Sequence, residues 1–256
     1  MTFRALIDAL AFSSLWVAFA ATALTAATSR SLGLPVMARL LVFVFAGTLL
    51  VYQVDRLRDL ARDRLTTPLR SAFVARHPRL LWGSVGVAAI VAIVCLPVIG
   101  GPGVGLAGVV AALGLLHRRL KRVWFLKSTY ITFAWVLVTV GLPVATAATW
   151  PAGVGWVAAV MASSLVANVL AAGVRDGEAV AARLGTHRSL LLARLLAALG
   201  VVVGLAATPV VRPLACVPLA TLAALMPFRT DERYGLVVVD GALVVGAMGA
   251  LVLSWL

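Results

Sequence analysis

Apolar residues run in long blocks along this chain, separated by short segments that carry almost all of its charge. The blocks cover residues 5–28, 35–52, 80–98, 104–116, 128–146, 154–174, 189–207, 210–227 and 234–256, each bounded by Gly, Pro or charged positions. A helix needs roughly 20 apolar residues to cross a hydrocarbon core about 30 Å thick. The pattern therefore predicts an all-α, polytopic membrane protein of about nine transmembrane helices in one bundle, a single domain over residues 1–256. The 104–116 block is short and calls for a thin or tilted crossing, or extension through His117. Gly100-Gly101-Pro102-Gly103 and Trp150-Pro151 have the tight, uncharged character of turns between antiparallel neighbours. Arg4 followed by an apolar block resembles a secretory leader, but Asp8 interrupts it and the block is long, so it is read as an uncleaved first helix.

Composition removes the soluble alternative. The chain is 62% hydrophobic and 12% charged, with mean hydropathy +1.07, far outside ordinary globular make-up. Its net charge of +13 is distributed by loop. The second-to-third connection holds Arg56, Arg58, Arg62, Arg64, Arg70, Arg76 and Arg79; the fourth-to-fifth holds Arg118, Arg119, Lys121, Arg122 and Lys127; the sixth-to-seventh holds Arg175, Arg183 and Arg188; the eighth-to-ninth holds Arg229 and Arg233. The intervening loops hold only Arg30 and Arg212. This alternation places the N-terminus in the cytoplasm and the C-terminus outside, as in a multi-pass protein of a prokaryotic inner membrane. Topology accounts for the basic charge, so membrane lipid is an expected partner and nucleic acid is not. Cys95 and Cys216 lie in apolar blocks as packing residues, and His77, His117 and His187 lie in separate segments without the spacing of a zinc set.

All nine carboxylates fall on the same side: Asp8, Asp55, Asp59, Asp63, Asp176, Glu178, Asp231, Glu232 and Asp240. Acidic groups in or beside a bilayer are costly, so their gathering marks a candidate site. Asp55, Asp59 and Asp63 are spaced i, i+4, i+8. On a helix continuing from the second block, Asp55 and Asp59 share a face and can address one cation, and hard oxygen ligands suit Mg²⁺ completed by phosphate oxygens. The same spacing also suits an interfacial helix end in which Arg56, Arg58 and Arg62 neutralise the aspartates. The basic stretch from His117 to Lys127, followed by Tyr130, suits either a clamp on an anionic headgroup or an anchor on anionic lipid. Asn168 and Arg175-Asp176-Gly177-Glu178 supply a second acidic element, with Gly177 placed to end the helix and turn both acids toward one site. A solvated turn is the plainer reading of that tripeptide.

These residues resemble the UbiA-type superfamily of intramembrane prenyltransferases, whose members have Asp-rich cytoplasmic loops after the second and sixth helices. Asp55-Arg56-Leu57-Arg58-Asp59 resembles the first motif, and Leu120-Lys121 through Lys127 to Trp135 resembles the basic loop and its following helix. A divergent branch is similar too, with an Asp-Arg-Leu-x-Asp element followed by a segment like Arg70-Ser71-Ala72-Phe73 and Arg76-His77. Val51-Tyr52 stands where the first motif usually begins Asn-Asp, and Val180 stands where the second carries a further aspartate. The resemblance implies Mg²⁺-dependent transfer of a prenyl chain from its diphosphate to a lipophilic acceptor. It implies that Asp55 and Asp59, with Asp176 or Glu178, hold the metal and the diphosphate, while Arg56, Lys121, Lys127 and Arg175 neutralise it. It places Tyr52, Tyr130 and Asn168 against substrate, and the faces of Tyr52, Tyr130 or Trp135 are suited to an allylic cation if they line the cavity. The two departures also fit a catalytically altered, lipid- or pigment-binding descendant. A secondary transporter using Asp8 or Asp240 is a third reading, without a repeat of broken helices to support it.

Overall fold

The computed structural model describes residues 2–120, 126–177 and 180–256, and side chains at all of these except 62 and 117–120. Every regular element among them is helical. In order these are α1 (Phe3–Phe12), α2 (Leu15–Ser31), α3 (Ala38–Thr66), α4 (Pro68–Arg76), α5 (Pro78–Leu120), α6 (Leu126–Val136), α7 (Leu142–Ala145), α8 (Val154–Asp176), α9 (Val180–Leu184), α10 (Thr186–Ala206), α11 (Cys216–Leu225) and α12 (Asp240–Leu253). A π-helical segment, Leu137–Gly141, joins α6 to α7, a second, Tyr234–Val239, precedes α12, and a 3₁₀ turn, Arg212–Ala215, precedes α11. Among the described residues six helices are long and apolar enough to cross a membrane, or seven if α1 and α2 make one bent span.

Three of the expected blocks take a different form. The first is broken at Ser13-Ser14 into α1 and α2, bent by 74°, with Ser14 in the left-handed region at φ 66°. Gln53 makes the break tenable, because its Nε2 donates to the freed Ser13 carbonyl at 3.0 Å and its Oε1 accepts from Ser84 Oγ at 2.7 Å. The third and fourth blocks form the one helical run α5, interrupted at Gly100 (φ 64°, ψ 177°), a conformation that favours glycine. Ser84 contacts Gln53, and a Cβ on Gly114 would lie 3.5 Å from Val51 on the same helix. As one straight helix, residues 84 to 114 would extend about 45 Å, so the run reverses at Gly100 and both halves lie along α3. The eighth block holds only the helical stretch Arg212–Leu225, about 20 Å long, which begins with the 3₁₀ turn containing Pro213.

The core lies where α2, α8, α11 and α12 meet, with Leu24, Val157, Met161, Leu214, Val217 and Ala247 in one buried cluster. The apolar window of α8 is 67% buried and that of α5 only 17%, so α8 is a central helix and α5 a peripheral one. Ile90 and Val94 of α5 stay 63% and 70% exposed, a surface that lipid solvates and water would not.

Candidate functional site

Sequence continuity carries α3 well past the apolar block, as the Asp spacing requires. It ends at Thr66, Thr67 adopts φ −136°, and Pro68 opens α4 at the position where a missing N–H costs nothing. The three aspartates thus stand on one helix, in different surroundings. The Asp55 side chain keeps 28% of its surface and lies 4.0 Å from Arg56 Nη1. Asp59 is buried and engaged with neighbours. Asp63 Oδ2 takes Arg56 Nη1 at 3.1 Å and Arg70 Nη2 at 3.4 Å.

Arg70 enters from α4, whose N-terminus is fixed from across the chain. The Glu232 carboxylate accepts the backbone N–H of Leu69 at 2.9 Å and of Arg70 at 2.8 Å, a charge-assisted cap on the positive end of the helix. Arg70 also donates to Thr67 Oγ1 at 2.9 Å, while its buried Nε has no hydrogen-bond partner. Burial pushes its guanidinium down to about 9, and the neighbouring Arg56 and Arg175 push the same way against Asp63 and Asp176. At neutral pH it remains a cation, under-compensated in a desolvated setting. Nothing in the linear pattern separates Arg70 from Arg76 or Arg79; Thr67-Pro68, which starts a new helix three residues earlier, is the signal that could.

At the other acidic element α8 ends as expected, with Gly177 in the left-handed region at φ 64°. Arg175 grips its own neighbour, Nε to Asp176 Oδ1 at 2.7 Å and Nη2 to Oδ2 at 3.1 Å. Successive helical residues do not face each other, so this pair needs an outside constraint. Gly235 supplies it: a Cβ there would lie 2.7 Å from Arg175 Cδ, so the arginine lies directly on the glycine backbone.

The two elements meet. The Arg70 guanidinium is within Coulombic reach of Asp63 from α3 and Asp176 from α8, and Lys127 at the start of α6 acts on Asp176. Deeper along α6, Trp135 Nε1 donates to the Tyr52 hydroxyl at 2.8 Å. Asn168 donates to Asp240 Oδ1 at 3.3 Å. Tyr52, Asp55, Arg56, Lys127, Asn168, Arg175 and Asp176 are therefore gathered at one end of the bundle, and Tyr130 is buried on α6 between Lys127 and Trp135. Lys121 and Glu178, expected to bind diphosphate and metal respectively, lie outside the described residues.

The described side chains that meet here are cations and carboxylates paired with one another. Among the described residues no three His, Cys, Asp or Glu side chains group together to hold an ion. Asp63 and Asp176 are held by arginines, and Asp55 alone among these three has only a 4.0 Å ionic contact. Arg56, Arg70, Arg175 and Lys127 stand here among Asp55, Asp59, Asp63 and Asp176, and cations in such a set can exchange a carboxylate for phosphate oxygens. No family model matches the chain, nor does any curated protein or solved structure.

Proposed function

We propose that this chain is an intramembrane prenyltransferase of UbiA type that moves a prenyl chain from a prenyl diphosphate to a lipophilic acceptor in a Mg²⁺-dependent reaction. The supporting observation is the under-compensated Arg70, which lies between the acidic ends of α3 and α8 with its buried Nε unpaired. An anion arriving there relieves the cost of a buried, poorly balanced cation. In this reading the membrane is crossed about nine times: Pro78–Leu116 counts twice because it reverses at Gly100, and the bent first pair and the short Arg212–Leu225 each add one to the remaining long spans. The basic ends face the cytoplasm, with the N-terminus on that side in a prokaryotic inner membrane.

The chemistry follows from charge. As the diphosphate departs, negative charge grows on it, and Arg56, Arg70, Arg175 and Lys127 stand where that charge is stabilised. Asp55, with Asp59 one turn on, is the carboxylate with surface to hold Mg²⁺, which would add positive charge to the leaving group when bound with the diphosphate. The allylic cation left behind is matched by the ring faces of Tyr52 and Trp135, which stand edge to face with centroids 6.3 Å apart.

A second reading, a lipid- or pigment-binding protein with the same fold and no transfer, draws support from Arg175 occupying both oxygens of Asp176. Purified protein in nanodiscs, given Mg²⁺ with farnesyl, geranylgeranyl and longer prenyl diphosphates, separates the two. Diphosphate release with at least one donor supports transfer; none with any donor supports the binder.

A further inference from the structure

Away from the charged site, a groove of about 760 Å³ runs between α2, α3 and the first half of α5. No residue of α4, α6, α8 or α12 lines it, so the diphosphate chemistry does not use it. On α5 its lining residues Leu80, Gly83, Ser84, Val87, Ala88 and Val91 recur at helical spacing and share one face. Small residues leave it deep. Ala46 and Ala88 in its lining are buried, and a Cβ on Gly83 would meet nothing within 4 Å. Phe19 and Phe45, from α2 and α3, border it edge to face with ring centroids 5.1 Å apart.

Along its length the groove offers hydrocarbon rather than hydrogen bonds. Two hydroxyls reach the lining, and both are spent inside the protein: Thr22 donates to the Ala18 carbonyl at 2.8 Å, and Ser84 to Gln53 Oε1 at 2.7 Å. The exception is Arg79. Because Ala88 clusters with Ala46 and Leu49 while Cys95 and Ile99 cluster with Leu40 and Val44, this half of α5 runs antiparallel to α3. Arg79 therefore lies beyond Ser84, toward the end of α3 that bears Asp55 and Asp59. It is exposed, and its guanidinium makes no hydrogen bond or ion pair among the described residues.

Length and charge select the occupant. From Arg79 to Val91 the groove follows α5 for about 18 Å, close to the roughly 15 Å of hydrocarbon in one leaflet. A chain of one leaflet's depth that carries negative charge at the basic end of the bundle matches both. A second copy of this chain, crossing the membrane in the same sense, would bring its own Arg79 to the same height, where like charges repel.

We propose that the groove between α2, α3 and α5 is a binding site for one acyl chain of an anionic phospholipid, whose headgroup phosphate meets Arg79. The test places the full-length protein in nanodiscs of equal parts phosphatidylglycerol and phosphatidylcholine with identical chains, extracts it into mild detergent, and counts the lipids that stay bound by native mass spectrometry. Wild type retains phosphatidylglycerol about fivefold over phosphatidylcholine, the worth of one basic residue beside an anionic lipid. Arg79→Gln loses that preference, whereas Arg76→Gln, at an exposed arginine of α4 outside the groove, keeps it. Gly83→Leu fills the open space and loses both lipids, with its thermal midpoint held. Equal retention of the two lipids by wild type overturns the proposal, as does no retained lipid or a Gly83→Leu protein that retains as much as wild type. Equal losses of preference in Arg76→Gln and Arg79→Gln would reduce the effect to general basic charge and overturn it too, and a lipid-free dimer in the same spectra would put a second copy in the groove. The wild-type ratio decides even if a variant does not fold. No diphosphate is present, so this result and that of the transfer assay stand apart.

Discussion

The end of α3 and the end of α8 hold the same two residue types, arginine and aspartate, in opposite states. At α8 the pair is closed: Arg175 takes both oxygens of its neighbour, and its side chain keeps 5% of its surface. At α3 the arginine reaches past its neighbour to Asp63, leaving Asp55 at 4.0 Å with 28% of its side chain exposed. The difference comes from what lies opposite. Gly235 presents bare backbone to Arg175, which lies against it while holding the adjacent carboxylate, whereas α3 meets another cation, Arg70, and must share Asp63 with it. One end is therefore built as a fixed post and the other as an adjustable set of charges, so substitutions at α8 should register in stability as well as in activity, and those at α3 mainly in activity.

The largest effect is expected at α3. Asp55→Asn should lower diphosphate release by about 100-fold or more, the scale of losing a group that acts on developing charge, while the thermal midpoint in detergent stays within a few degrees. Asp63→Asn should reduce release less, because Asp63 is already committed to Arg56 and Arg70; equal loss at both positions would break the division. Next comes the post itself. Arg175→Ala removes one partner of an enclosed pair and should cost about 3 kcal/mol in unfolding, against about 1 kcal/mol or less for Arg56→Ala, whose side chain is 24% exposed. Matching costs in a detergent melt would erase the contrast between the two ends. The smallest is Glu232→Gln: weakening the cap on α4 should cost about 1 kcal/mol, read as faster proteolysis within residues 68–76 with the rest of the chain intact.

Much of this arrangement is legible in the residue order. The aspartate spacing requires α3 to continue past Tyr52, and it does; Gly177 marks the end of α8, and it adopts the left-handed conformation that ends a helix. The loop charges gather the basic segments at one end, where Arg70, Arg175 and Lys127 meet. What stays hidden is set by contacts distant in sequence. Ser13-Ser14 breaks the first apolar block because Gln53, 40 residues away, satisfies the freed carbonyl. The grip of Arg175 on Asp176 depends on a missing Cβ at Gly235, and the position of Arg70 depends on Glu232, 162 residues away. Hydropathy and helical period report the environment of a segment along its own axis; none of these three contacts leaves a trace in either.

In the proposed function Arg70 joins the ends of α3 and α8 into one anion site, and pyrophosphate binding to the purified protein by titration calorimetry measures that directly. Wild type should bind, and Arg70→Gln, which removes the central cation while keeping similar bulk, should bind about tenfold more weakly, as expected for the loss of a charge-assisted contact. Undiminished affinity in Arg70→Gln, or no binding by wild type, would contradict it.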